Sequence, residues 1–159
     1  MTKVSGFLIG AVAVLIASAP GASAQTLTAR LSGGEETPIL NTGAVGTVEV
    51  TVDVPNQEIM VTLRVFNTPT ATTAGHIHIG PAGIAGPVVI NFPTALNGRT
   101  GDFAMTFRVG PSDFVARPAI GINSMEDAMQ AILNGNSYVN VHTMQNLGGE
   151  IRGQLNLVK

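Results

Sequence analysis

The chain holds three histidines, and two of them stand two residues apart in Gly75-His76-Ile77-His78-Ile79-Gly80. A neutral imidazole is a good ligand for zinc and for copper. In an extended segment alternate side chains share a face, so His76 and His78 point one way while Ile77 and Ile79 point the other. At about 3.3 Å of rise per residue their Cα atoms lie roughly 6–7 Å apart, which lets both rings turn onto one ion. His142 ends a second strand-like run, Tyr138-Val139-Asn140-Val141-His142. If the three meet, the chemistry is a three-histidine site for copper or zinc with one open position. Imidazole nitrogens spread by more than about 5 Å, beyond the reach of rotamer changes toward ligand distances near 2 Å, would rule it out. With no cysteine anywhere, a metal site here must draw on His, Asp, Glu, Asn or Met.

A structural reading stands beside this one. Histidines next to glycine loops can serve only to hydrogen-bond backbone and carboxylate groups. Residue parity carries the comparison further. If Val139, Val141, Ile151 and Leu155 face the core, then Tyr138, Asn140, His142, Glu150, Arg152 and Gln154 face outward. The expectation is one outer polar patch of His76, His78 and His142 supported by Asn140, Glu150 and Arg152. Glu150 and Arg152 would then form a surface pair of little energetic weight. The Gly/Pro run from Gly80 to Pro87 reads as a turn and not a phosphate cradle, since no lysine or helix start follows it. Glu35 and Glu36, being adjacent, are not read as a catalytic carboxylate pair, and no serine or cysteine nucleophile motif is present.

The elements that must position these residues are mostly strands. Thr26–Leu31 alternates apolar and polar residues, and Val48–Val54 has valine at every second position. Pro55-Asn56-Gln57 turns the chain back into Ile59–Val65, which makes a hairpin. Further strands are expected at Val88–Phe92, Phe103–Val109, Tyr138–Thr143 and Glu150–Leu157, the last two joined through Gln145–Gly149. One helix stands out near 124–134. Ser124 can cap it, Glu126 and Asp127 suit its positive end, and Gly135 can close it. Met125, Ala128, Met129, Ile132 and Leu133 share a face of this helix, which makes the methionines core packing and not ligands. The fold class is therefore mainly β: an antiparallel sandwich, Greek-key and immunoglobulin-like or superoxide-dismutase-like, with one short inserted helix.

Lys3, the apolar run Phe7–Ala19 and Ala22-Ser23-Ala24 before Gln25 have the pattern of a secretory leader over 1–24. The run is shorter than the roughly 20 residues of a membrane span. Residues 25–159 then form a single domain, expected to be secreted or periplasmic. Once Lys3 is removed, seven basic residues face ten acidic ones with no clustered run of either sign, which argues against a nucleic-acid partner. The absence of tryptophan and the single tyrosine argue against an aromatic platform for sugars or bases.

Three separated motifs, in order, carry a resemblance. Leu31-Ser-Gly-Gly-Glu-Glu-Thr-Pro38, His76-Ile-His-Ile-Gly-Pro-Ala-Gly-Ile-Ala-Gly-Pro-Val88 and Tyr138-Val-Asn-Val-His142-Thr…Gly148-Gly-Glu-Ile-Arg-Gly-Gln-Leu155 resemble a CHRD domain, the module named after chordin and found singly in exported bacterial proteins. The likeness runs from about Leu27 to Leu157. It implies a β-sandwich of extracellular or periplasmic proteins; in animal chordins it belongs to a secreted antagonist of growth factors of the bone-morphogenetic type. It implies no established reaction for single-domain members. The segment Met144-Gln-Asn-Leu147 departs from the small residues and proline usual before the Gly-Gly-Glu, which bears on the hairpin tip. The His-x-His pair also resembles part of the copper site of copper/zinc superoxide dismutases, a local likeness without that family's cysteines.

Two functions follow as expectations. The first is a non-enzymatic binding module presenting loops or an edge strand to a protein or surface partner. The alternative is a copper or zinc protein, a carrier or a small redox enzyme, using His76, His78 and His142.

Overall fold

Alternating valines can bury one face only if the chain is extended, and this pattern builds most of the molecule. The computed structural model describes residues 23–159, so the leader expected over 1–24 lies outside the described residues apart from its last two positions. The strands are β1 (Gln25–Ser32), β2 (Val45–Asp53), β3 (Glu58–Thr68), β4 (Thr72–Ile79), β5 (Val88–Asn91), β6 (Gly101–Val109), β7 (Ser137–Thr143), β8 (Ile151–Gln154) and β9 (Asn156–Leu157). One helix, α1, spans Met125–Leu133. The expected β2–β3 hairpin pairs residue for residue from Val45↔Phe66 to Asp53↔Glu58. Gln57, at φ 51°, takes its left-handed corner, and Asn56 bonds back to Asp53.

The architecture is mainly β and antiparallel, as expected, but it is one curled sheet in the order β5-β4-β7-β8-β1-β2-β3-β6. The two halves meet where β8 touches β1 at Arg152↔Ser32. The expected strand Glu150–Leu157 is broken there for a physical reason. After Leu155, whose N–H still donates to the Ser137 carbonyl at 2.9 Å, the chain leaves β7, and Asn156–Leu157 pairs instead with Leu27 and Thr28 of β1. Gly153 makes the crossing feasible, because a Cβ on it would sit 2.0 Å from the Arg30 carbonyl oxygen.

Curling places one face of the strands β1 to β8 inside. Leu27 and Leu31, Val48 and Val50, Ile59 and Leu63, Ile77, Val139, Val141 and Ile151 form one buried cluster. Met125, Ala128, Met129 and Ile132 of α1 join it, so the methionines are packing, as their spacing indicates. Ser124 Oγ accepts from Asp127 N–H at 3.1 Å, and Asp127 Oδ2 accepts from Ser124 N–H at 2.9 Å. This reciprocal cap satisfies two otherwise orphan donors. Ser124→Ala should therefore cost about 1 kcal/mol, read as a lower urea midpoint at unchanged slope; an unchanged midpoint would mean that packing alone fixes the helix start.

Candidate metal centre

The pairing of β4 with β7 sets His76 opposite Asn140 and His78 opposite Tyr138. His142 lies two residues beyond Asn140, on the same face. The structure thus brings all three histidines together: one ring nitrogen from each lies within 4.8 Å of the others. That is inside the 5 Å limit set above. His76 Nδ1 and His142 Nε2 are hydrogen-bonded to each other at 3.0 Å, somewhat inside the roughly 3.4 Å between two tetrahedral nitrogens that share an ion at about 2.1 Å.

The patch is not on the surface. His78 and His142 are each only 9 % exposed, and Asn140, Glu150 and Arg152 are more deeply buried still. Parity identifies the shared face correctly; it fails to show that this face is roofed. The chain from Ser32 to Ala44, the Gly80–Pro87 loop and the tip Met144–Gly149 fold over it, as their side-chain and backbone bonds to it show. Glu150 and Arg152 do not form the expected surface pair. The Glu150 carboxylate accepts from Thr42, Thr143 and Asn146 and ties two loops to β7. Arg152 donates from Nη2 to the Ile84 carbonyl at 3.0 Å and lies 3.9 Å from the Tyr138 ring centroid.

The hydrogen bonds fix the tautomers. His142 Nδ1 meets the Leu147 carbonyl at 2.9 Å, and His78 Nδ1 meets the Gly86 carbonyl at 2.9 Å. A carbonyl only accepts, so both Nδ1 atoms carry the proton and both Nε2 atoms are acceptors; that of His142 accepts from His76 Nδ1–H at 3.0 Å. His78 Nε2 is buried with no hydrogen-bond partner among the described residues. This is how metal-ligating histidines are commonly held, with the distal N–H tied to a carbonyl and the other nitrogen bare.

The Gly86 peptide is itself clamped. Tyr138 Oη accepts from Gly86 N–H at 2.9 Å and donates back to the Gly86 carbonyl at 3.3 Å. No side chain fits at Gly86, where a Cβ would lie 1.8 Å from the Ile79 carbonyl oxygen. The Tyr138 ring stacks on His78 at 4.6 Å and 10°.

Burial pushes His76 down to about 4, helped by the His142 and His78 rings beside it. Burial likewise brings His78 to about 4; the Gly86 carbonyl opposes the shift, while His142, Arg152 and Arg117 add to it. His142 is lowered by burial and partly restored by the Leu147 carbonyl. All three rings are thus neutral, the form that binds a metal. Glu36 behaves oppositely. Burial raises its carboxyl to about 7, against the pull of Arg152, the Asn140 amide and the Thr37 N–H, with Glu150 adding to the rise. Asn140 Nδ2 donates to both Glu36 oxygens, at 3.1 and 3.2 Å.

These shifts have opposite signs in stability. A histidine lowered from 6.5 to about 4 binds its proton more readily when unfolded, so acid destabilises the metal-free chain as the pH falls between those values. Glu36, raised from 4.5 to about 7, contributes stability at low pH that is lost as pH rises through 7. With more histidines than carboxyls involved, the melting temperature should fall on going from pH 7 to pH 5. In Glu36→Gln, which removes the opposing group, the fall should be steeper; an equal or shallower fall would show that Glu36 is ionised in the fold.

Tyr138 and Glu36 lie outside the site expected from sequence, although parity sets Tyr138 on its face and Glu36 belongs to the Leu31–Pro38 motif. The Gly86 and Leu147 carbonyls leave no side-chain signal, although the Gly/Pro punctuation marks one of the two loops. Glu36, Thr37 and Pro38 border two shallow grooves, one reaching Gly83 and Ile39 and the other Asn146 and Gly148. Two wider grooves lie on the outer face of β1–β3 around Arg30 and Thr47, and no histidine lines them. The chemistry points to the buried face and not to the larger openings.

No helix among the described residues is long and apolar enough to cross a membrane. No curated protein matches this chain, and no solved structure does. A family model does match: that of the CHRD domain, over residues 27–155, which includes the roofing loops, both histidine strands and the closing hairpin. By that match the chain belongs to the CHRD domain family.

Proposed function

We propose that this chain is a non-enzymatic CHRD module, exported by the leader expected at its N-terminus, that holds one copper or zinc ion on His76, His78 and His142. The observation that carries the reading is the pair of Nδ1–H bonds to the Gly86 and Leu147 carbonyls, which leaves the inward Nε2 of His78 buried and unpartnered among the described residues. An orphaned buried acceptor costs free energy unless something meets it. The ligand set is neutral and nitrogen-only, which suits copper and zinc and disfavours calcium and magnesium. Carriage and not catalysis fits the roof of loops over the site.

Calorimetric titration of the purified, untagged protein should show one equivalent of Cu(II) or Zn(II) bound. Heats no larger than dilution for both ions would leave the histidines as structural residues.

A second reading has its own observation. Ile39, Ile84 and Leu147 are 78, 56 and 69 % exposed, and they sit on the three loops that roof the site. Exposed apolar side chains grouped on loops mark interaction surfaces, and a protein partner could dock there with or without metal. A pull-down that loses its partner in Ile84→Ser and Leu147→Ser, with metal binding unchanged, would favour this reading.

A further inference from the structure

The chemistry of the roofed face bears on which ion it takes. Every donor is an uncharged imidazole, and among the described residues no carboxylate oxygen joins the three histidines. An ion bound there keeps its whole charge. Burying a net charge is costly and grows with the square of that charge, so a divalent ion is penalised several times more than a monovalent one.

Nearby fixed charge acts in the same direction. Arg152 is 3 % exposed, and its guanidinium sits 3.9 Å from the Tyr138 ring, which itself stacks on His78. No carboxylate lies within ion-pair distance of it; the single ion pair among the described residues joins Arg108 to Glu58 at the surface. Glu150 is engaged by Thr42, Thr143 and Asn146, and Glu36 by Asn140. Arg152 and Arg117 both act on His78 as positive charges.

Coordination number points the same way. Zinc completes four ligands with water, and Cu(II) prefers tetragonal sites of four or more. Cu(I), with a filled d shell, accepts three nitrogens alone.

Building on the metal-binding reading above, we infer that the site selects Cu(I) over Cu(II) and Zn(II), and that Arg152 is a residue that sets this selectivity. Its positive charge, on the far side of the stacked Tyr138 ring, disfavours each added unit of charge on the ion by roughly tenfold in affinity, taking about 12 Å and an effective dielectric near 20.

The test compares ion affinities under anaerobic conditions: Cu(I) by competition with a chromogenic chelator, Ag(I) as a redox-inert monovalent probe, and Cu(II) and Zn(II) by calorimetry. The wild type should bind Cu(I) and Ag(I) at least a hundredfold more tightly than Zn(II). Arg152→Gln should narrow the Cu(I)-to-Cu(II) preference about tenfold, a fall in reduction potential of about 59 mV for one electron, while Arg152→Lys should keep the wild-type value. Tighter binding of Zn(II) or Cu(II) than of Cu(I) would overturn the inference while leaving the metal site standing, and this comparison needs no variant to fold. An unchanged potential in a folded Arg152→Gln would overturn the role of Arg152. Failure to bind any of the four ions would overturn the metal reading together with it.

Discussion

Alanine at His78 or at His142 should abolish stoichiometric metal binding, lowering affinity by at least a hundredfold. The far-ultraviolet circular dichroism should stay unchanged. The magnitude follows from what each ring supplies. Loss of a group that merely orients a ligand typically costs 10–100-fold in metal affinity, and these two rings are both donor and oriented group. His78 is stacked on Tyr138 and bonded to Gly86; His142 is bonded to Leu147. Neither has a neighbour of the right chemistry to take its place, since the chain contains no other histidine than His76 and no cysteine. Titration calorimetry decides the matter, and a variant that kept wild-type affinity would remove that histidine from the ligand set. His76, which faces the other two rings without a carbonyl behind it, should be the more mobile ligand, and His76→Ala the milder change.

Valine at Gly153 should be the most damaging single substitution in the sheet, at about 4 kcal/mol. The obstacle is backbone and cannot rotate away: an added Cβ would meet the Arg30 carbonyl oxygen at 2.0 Å and its carbon at 2.8 Å. Arg30 lies on β1 and Gly153 on β8, so the clash falls on the seam between the two halves of the curled sheet. The adjacent Arg152↔Ser32 contact is the only β1–β8 register pair among the described residues. Thermal denaturation should show a melting temperature lower by on the order of 10 °C. A loss under about 1 kcal/mol would mean that the seam can open without cost to the rest.

Much of this could be read from residue order. Valines at alternate positions in β2 and the turn at Pro55–Gln57 are local signals, and local signals specified the hairpin and the capped helix. The sharing of one face by His76, His78, Asn140, His142 and Arg152 was also legible, because parity within a strand depends on nothing beyond it. Whether that face met solvent was not. It depends on where loops of Ser32–Ala44, Gly80–Pro87 and Met144–Gly149 fold, and their Gly, Pro and Thr residues specify turns and not destinations. The partners of Glu150 were hidden for the same reason: Thr42 lies 108 residues away in the chain. The break between β8 and β9 reflects a change of partner strand, which alternation within one strand does not report.

The sheet curls without closing, and its two rims are unequal. Beside β5 the chain returns, with Ile90 bridged to Phe114 and the Val115 N–H and Arg117 Nε donating to the Val89 and Val88 carbonyls. That rim is sealed. Along β6, the nine-residue strand from Gly101 to Val109 pairs with β3 on one side alone among the described residues, through every residue but Asp102. No proline interrupts it, and the charged side chains near the two ends, Asp102 and Arg108, are engaged by the Asn67 N–H and by Glu58, which leaves the middle of the rim open to strand addition. Self-association in concentrated solution should therefore begin at β6, and a proline placed at Thr106 in the middle of that rim should suppress it.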